Sequence, residues 1–76
     1  MNAEALREFI QRRPFEPFEV VMSSGEVHQV RHPEFVILLP SRLVVTDPVS
    51  DRVAVLSLIH ITEVQMLQPA SRPNQP

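Results

Sequence analysis

The chain of 76 residues has no cysteine, tryptophan, tyrosine or lysine, and it has a single glycine. The lack of cysteine excludes disulfides, thiolate metal ligands and thiol nucleophiles, and it favours a reducing, cytoplasmic setting. No apolar run approaches the ~20 residues of a membrane span, and the N-terminus lacks the basic-then-apolar order of a secretory signal. We therefore expect a cytoplasmic protein with no membrane partner.

Charge is also scarce. The net charge is −2, so any nucleic-acid contact would need a local cationic patch. All seven basic residues are arginine. Arginine forks suit phosphate and carboxylate pairing, but codon bias in a GC-rich genome would give the same composition. Composition alone does not decide between these two explanations.

The length predicts one domain, over residues 1–68, that is too small to enclose both a deep pocket and a full core. Chains of this size are often stabilised by self-association, so a homo-oligomer is expected. The sequence has no nucleophile-base-orienter set and no glycine-rich phosphate loop. We therefore expect no enzyme activity and no cofactor.

The first predicted element is a helix over residues 2–13. Asn2 is suited to cap it, and Leu6, Phe9 and Ile10 share one face. Pro14 stops the helix because proline has no backbone N–H. With so small an apolar face the helix must dock on something, and we expect Phe15, after Pro14, to help hold it against a sheet.

Alternation of apolar and polar residues predicts the first two strands. In the strand over 18–23, Phe18, Val20 and Met22 share one face. Gly25 supplies the positive φ of a tight hairpin turn, and a second strand runs over 26–32 until Pro33 interrupts it. All four phenylalanines in the chain, at positions 9, 15, 18 and 35, are expected in the core.

Three more strands are predicted over residues 35–46, 52–61 and 63–67, with a loop over 47–51 and a brief break at Thr62-Glu63. Within the first of these, Pro40-Ser41-Arg42 is expected to turn the chain between the runs 35–39 and 43–46. Residues 69–76 include three prolines and no apolar residue larger than alanine, so a disordered tail is expected. The predicted class is mainly β with an N-terminal helix.

A helix followed by about five short strands resembles the Sm/Lsm-like family, which includes a bacterial RNA chaperone. Three local matches carry the resemblance: the Ser24-Gly25 turn, the apolar string Phe35–Leu39, and Leu58–Ile61, where the family's fourth strand gives way to a short turn and a fifth strand. The resemblance implies a small, bent five-stranded antiparallel barrel of Sm-like or SH3-like type. It leaves open whether Phe35–Leu39 is strand three or the end of a bent strand two.

The same resemblance implies RNA as an alternative partner, but the matching residues differ. The family's uridine-binding Tyr-Lys-His would fall on residues 58–60, where only His60 carries over. Glu34 stands where the chaperone has glutamine. The chain is also similar to short bacterial proteins that share the frame RRPFEPF, a Ser/Asp-Gly turn and VRHPE, and this second resemblance implies no activity.

Four residues are candidates for a rim that contacts a ligand, RNA or a partner: Arg31, His32, Arg42 and His60. Three of them also have a plainer explanation, since Arg31 and His32 can form a polar strand end and His60 can be a buried neutral histidine. His28 and His32 would be a metal pair on a helix, but on a strand their spacing spans about 13 Å, so no metal site is expected.

The sequence as a whole predicts a non-enzymatic small β protein. We expect it to self-assemble by pairing of strand edges, with a ring as one closed form of the assembly. We also expect it to serve as an interaction or accessory module, in which Phe35, Arg31 and the hairpin of the 40s meet a protein partner that the sequence does not identify. An Sm-like protein with a weak or altered RNA site is the alternative.

Overall fold

A computed structural model describes residues 1–67 as one helix followed by six strands. Short 3-10 turns precede the third and the sixth strand, at Pro33–Phe35 and Leu58–His60. The helix is α1 (Ala3–Gln11), and the strands are β1 (Phe18–Met22), β2 (Val27–Val30), β3 (Val36–Leu38), β4 (Arg42–Asp47), β5 (Arg52–Ser57) and β6 (Ile61–Met66). The tail predicted over 69–76 lies outside the described residues.

Helix α1 begins at the predicted cap. The Asn2 side-chain oxygen accepts a hydrogen bond from the Ala5 backbone N–H at 2.8 Å. This bond satisfies one of the donors that the first turn of any helix leaves unpaired. The helix ends at Gln11, two residues before the predicted end, because the chain is already extended at Arg12.

The apolar face of the helix contacts β3 and, through Phe9, β1. Leu6 is fully buried, and the Phe9 ring centre lies 5.5 Å from that of Phe18. The Phe15 ring centre lies 6.0 Å from that of Phe18, as the sequence predicts for a residue that holds the connector against the sheet. Phe18 is thus the common contact of the helix and its connector.

The first sheet is antiparallel and has the strand order β2-β1-β6. In β1 the predicted alternation is confirmed, since Phe18, Val20 and Met22 are buried and the residues between them are half-buried. Gly25 has a φ of +94° in the turn between β1 and β2, which is the left-handed conformation that favours glycine.

The second sheet is an antiparallel meander in the order β3-β4-β5. The stretch predicted as strand over 35–46 is divided into β3 and β4 by a turn at residues 39–41, one residue before the turn predicted at Pro40-Ser41-Arg42. β3 lies in a different sheet from β2, and residues 31–35 carry the chain from one to the other.

The last break in the chain falls at Leu58–His60 rather than at the predicted Thr62-Glu63. Hydrogen bonds on both sides explain its position. The Leu58 N–H donates to the Ser41 carbonyl in the second sheet at 3.0 Å, and the His60 carbonyl accepts from Ser23 beside the first sheet at 2.7 Å. The 3-10 turn therefore passes the chain from one sheet to the other.

The described residues form two three-stranded antiparallel sheets and one helix, which confirms the predicted mainly β class. They contain six strands instead of five, and no closed barrel is found among them. Within residues 1–67, no helix is long and apolar enough to cross a membrane.

The core lies between the two sheets and under α1. Its eleven buried side chains are all apolar: Leu6, Phe18, Val20, Met22, Val30, Val36, Leu43, Val45, Leu56, Leu58 and Ile61. Phe35, which was expected in the core, is only half-buried and is not part of this cluster. Because β3 begins one residue later, Phe35 belongs to the 3-10 turn, and its ring packs edge-on against His32 at 5.0 Å.

Candidate functional site: unpaired strand edges and a polar groove

Each sheet has two edge strands that pair on one side only. They are β2 and β6 in the first sheet, and β3 and β5 in the second. β2 and β3 are short, with four and three residues, whereas β5 and β6 each have six. Short edges are one way in which proteins avoid unwanted pairing, so the two long edges are the ones that are least protected.

The backbone of β5 exposes hydrogen-bonding groups at its free edge. The Leu58 N–H bonds the Ser41 carbonyl, and this pair continues the β4–β5 register. Bonded and non-bonded pairs alternate along an antiparallel ladder. The backbone groups of Ala54 therefore point to β4, while those of Val53 and Val55 point away from the sheet.

The side chains of the same edge are apolar and exposed. Val53 is 66% exposed and Val55 is 60% exposed, and Ile59 in the adjoining turn is 80% exposed. The only charged residue of β5 is Arg52, at its start. β5 thus lacks the interior charge, proline or bulge that usually blunts an edge strand.

A second feature is an open groove of about 970 Å³ between β2 and the tip of the β4–β5 hairpin. One wall comes from β2 and the residues that follow it, and the other from the end of β4, the turn and the start of β5. The lining residues are Val27, His28, Gln29, Arg31, His32, Phe35, Val45, Thr46, Asp47, Pro48, Val49, Arg52, Val53 and Ala54.

Two arginines from opposite walls line the groove. The Arg31 guanidinium donates to the Gln29 side-chain oxygen at 2.9 Å. Among the described residues, no carboxylate lies within 4.0 Å of Arg31 or Arg52. Neither guanidinium therefore has an ion-pair partner in this part of the chain, and both can donate hydrogen bonds to an anionic group of another molecule.

The one acidic residue in the groove lining, Asp47, is engaged by the hairpin turn. Its carboxylate accepts the backbone N–H groups of Val49 at 3.1 Å and Ser50 at 3.4 Å. The pKa of Asp47 lies below its ordinary value, mainly because of the side-chain hydrogen bond from Ser50, followed by these backbone bonds and the charge of Arg52. Asp47 therefore stays ionised while it organises the turn.

Two histidines border the same groove. His32 is exposed and stacks edge-on against Phe35. His28 is half-buried on the core side of β2, where its Nε2 lies 3.7 Å from a Glu26 carboxylate oxygen, too far for a hydrogen bond. That nitrogen is buried without a hydrogen-bond partner.

The structure brings together only two of the four predicted rim residues. Arg31 and His32 line the groove, whereas Arg42 and His60 do not. Arg42 lies opposite Ser57 at the far end of the β4–β5 ladder, and His60 ends the second 3-10 turn. His60 is exposed, so the interpretation of it as a buried histidine is wrong.

The surface predicted to meet a partner included Phe35, Arg31 and the hairpin of the 40s, but not Arg52. One signal for Arg52 was present, since the four-residue turn 48–51 makes Asp47 and Arg52 direct neighbours in the ladder. No pattern in the sequence predicted that this hairpin lies beside β2, because that position depends on how the two sheets face each other.

In the described part of the chain, no three histidine or carboxylate side chains are grouped so that they could hold a metal ion. Comparison with known proteins returned no match to a family model, to a curated protein or to a solved structure.

Proposed function

We propose that this chain is a non-enzymatic β protein that self-assembles by pairing of strand edges and serves as an accessory module for a protein partner. The observation that carries the proposal is the free edge of β5, where the backbone groups and the side chains of Val53 and Val55 are both unpartnered. An exposed apolar edge of this kind is a template for pairing with another chain. A cytoplasmic setting belongs to the proposal and rests on the absence of cysteine.

The edge that fits β5 best is β6 of a second copy. Both strands have six residues, and they belong to different sheets of the chain. Pairing β5 of one copy with β6 of the next would join the two kinds of sheet into one six-stranded sheet. Such head-to-tail contacts repeat from copy to copy and close into a ring when the rotation permits.

An Sm-like architecture is part of the same proposal, and the order of strands supports it. β2 and β3 follow one another and belong to different sheets, as the two halves of a bent strand two would. The short turn at Leu58–His60 and the final strand after it also agree with the pattern that the resemblance implies.

Light scattering on a size-exclusion column tests self-assembly. We expect a discrete oligomer at tens of micromolar, and the double variant Val53→Lys/Val55→Lys should shift it toward monomer because each paired edge would then bury two charges. Val49→Lys is the matched control, since Val49 is 95% exposed in the hairpin turn and should leave assembly unchanged. A wild-type protein that stays monomeric at this concentration would refute the proposal.

RNA binding, the alternative, is tested in the same fractions. The chain has no tryptophan or tyrosine, so strong nucleic-acid absorbance that co-elutes with it and disappears after RNase treatment would identify bound RNA. We expect none. Single-stranded RNA is held by exposed aromatic rings, and the four phenylalanines of the chain are all buried or half-buried.

A further inference from the structure

We propose that the groove between β2 and the β4–β5 hairpin binds an extended acidic segment of a partner protein, which adds to the first sheet as a strand beside β2. This inference rests on the accessory-module part of the proposed function. It uses the free edge of β2, whereas self-assembly uses the edges of β5 and β6, and Val53 is the residue that the groove shares with the β5 edge. The groove is lined by residues 27–29, 31, 32 and 35 on one side and by residues 45–49 and 52–54 of the hairpin on the other.

The backbone of β2 supplies the first argument. The Met22 N–H bonds the Glu26 carbonyl at 2.8 Å, and this pair continues the β1–β2 register. By the alternation of an antiparallel ladder, the backbone groups of His28 point to β1 and those of Val27 and Gln29 point away from it. β2 has no neighbour on that side, and these residues line the groove, so an extended segment can bond them there.

The side chains of the groove set the pattern that this segment needs. Val27 and Gln29 are exposed on one face of β2, and His28 lies on the opposite, core-facing side. Across the groove, Val45 and Ala54 present the inner face of the second sheet. An added strand would turn every second side chain toward this apolar wall, so apolar residues are expected at alternate positions.

The charges of the groove indicate which partner residues are expected between the apolar positions. Arg31 and Arg52 stand on opposite walls without an ion-pair partner among the described residues, and the Asp47 carboxylate is held by its own turn. Carboxylates on the added strand can pair with the two guanidiniums, whereas lysines would face them with like charge. The groove thus favours an acidic partner even though the whole chain has a net charge of −2.

A peptide fits this groove better than a nucleic acid does. Three rings in the lining could stack on a base, but Phe35 and His32 contact each other edge-on and His28 is half-buried. Four valines of the lining, at positions 27, 45, 49 and 53, offer apolar contacts that a peptide side chain can use and a phosphate cannot.

The test uses a labelled peptide of alternating valine and glutamate, blocked at both ends, and the same peptide with lysine in place of glutamate. Fluorescence anisotropy should show saturable binding of the glutamate peptide and at least about tenfold weaker binding of the lysine peptide. Amide hydrogen exchange then locates the contact. The amides of Val27 and Gln29 should become protected when the glutamate peptide binds, while His28 and Val30 should change little because they already bond β1.

The double variant Arg31→Gln/Arg52→Gln should weaken binding of the glutamate peptide by about fivefold, since two exposed ion pairs are lost. Arg7→Gln, on the exposed face of α1, is the matched control and should not change it. Both variants alter exposed residues, and dispersed amide spectra will show that they remain folded.

Several outcomes would overturn the inference: equal binding of both peptides, binding without protection of Val27 and Gln29, or no binding. Protection of these amides by added protein alone would mean that a second copy occupies the groove. Changes at Arg31 and Arg52 with inorganic phosphate or oligouridylate, and none with the peptide, would assign the site to another ligand. Light scattering of the peptide-free protein reports on self-assembly separately, so failure of one proposal leaves the other standing.

Discussion

Asp47 shows how a single carboxylate can link stability to pH in this chain. It accepts hydrogen bonds from the turn after β4 and lies opposite Arg52, and its pKa is lowered from 3.8. A carboxyl group whose folded pKa is depressed contributes stability above its unfolded pKa. That contribution is lost as the pH falls through the folded value.

We therefore predict that Asp47→Asn lowers the denaturation midpoint near neutral pH, because the amide keeps an acceptor oxygen but loses the charge. The difference between wild type and variant should shrink as the pH falls below 3.8, and it should vanish below the lowered pKa. Denaturant titrations of both proteins across this range measure the effect, and all other titrating groups cancel in the comparison. A difference that stays constant with pH would contradict the explanation.

The conformation of residues with a strong local preference was predictable from the sequence. The burial of residues that contact distant parts of the chain was not. Asn2 caps its helix and Gly25 takes a positive φ because each preference acts within a few residues. The burial of Phe35 and His60 was predicted wrongly, because both residues lie in 3-10 turns where the sequence predicts strand. A strand boundary that moves by one or two residues changes which side chains are buried.

At the scale of elements, α1 depends on its contact with the sheets. A nine-residue helix is marginal in water by itself, so docking must stabilise it. Leu6 is fully buried in the common core. We predict that Leu6→Ala lowers the free energy of unfolding by about 2–4 kcal/mol, which a small domain can barely tolerate.

Thermal or denaturant unfolding followed by circular dichroism measures this change. Arg7→Ala is the control, because Arg7 is exposed on the same helix and alanine keeps helix propensity, so a change within about 0.5 kcal/mol is expected. If Leu6→Ala unfolds at the same midpoint as the control, the helix does not belong to the same cooperative unit as the sheets.

The predicted elements were right where periodicity was clean and incomplete where apolar residues were continuous. β1 alternates and was predicted with its correct buried face. Within residues 35–46, Pro40-Ser41-Arg42 between two apolar runs predicted the turn to within one residue of its observed position. The break at Leu58–His60 was misplaced, because apolar residues continue through it.

At the scale of the whole molecule, the mainly β class follows from the sequence, and the candidate site follows only in part. The groove joins β2 to the β4–β5 hairpin, and no local signal sets how the two sheets face each other. Arg31, Phe35 and the hairpin of the 40s were predicted to meet a partner, whereas Arg52 became relevant only when the opposite wall was known. Arg52 lies some twenty residues after Arg31 along the chain, so spacing in the sequence did not connect the two.

The salt dependence of self-association separates the proposed assembly from one that RNA would hold together. The β5 edge has no charge after Arg52, and β6 has only Glu63, so pairing of these edges buries backbone and apolar groups. Raising ionic strength from about 50 mM to about 500 mM should leave such an oligomer intact, because screening acts on charges. An RNA-held assembly should dissociate over the same range as cations lose their phosphate contacts. Light scattering at several salt concentrations distinguishes them, and loss of the oligomer at high salt would count against edge pairing.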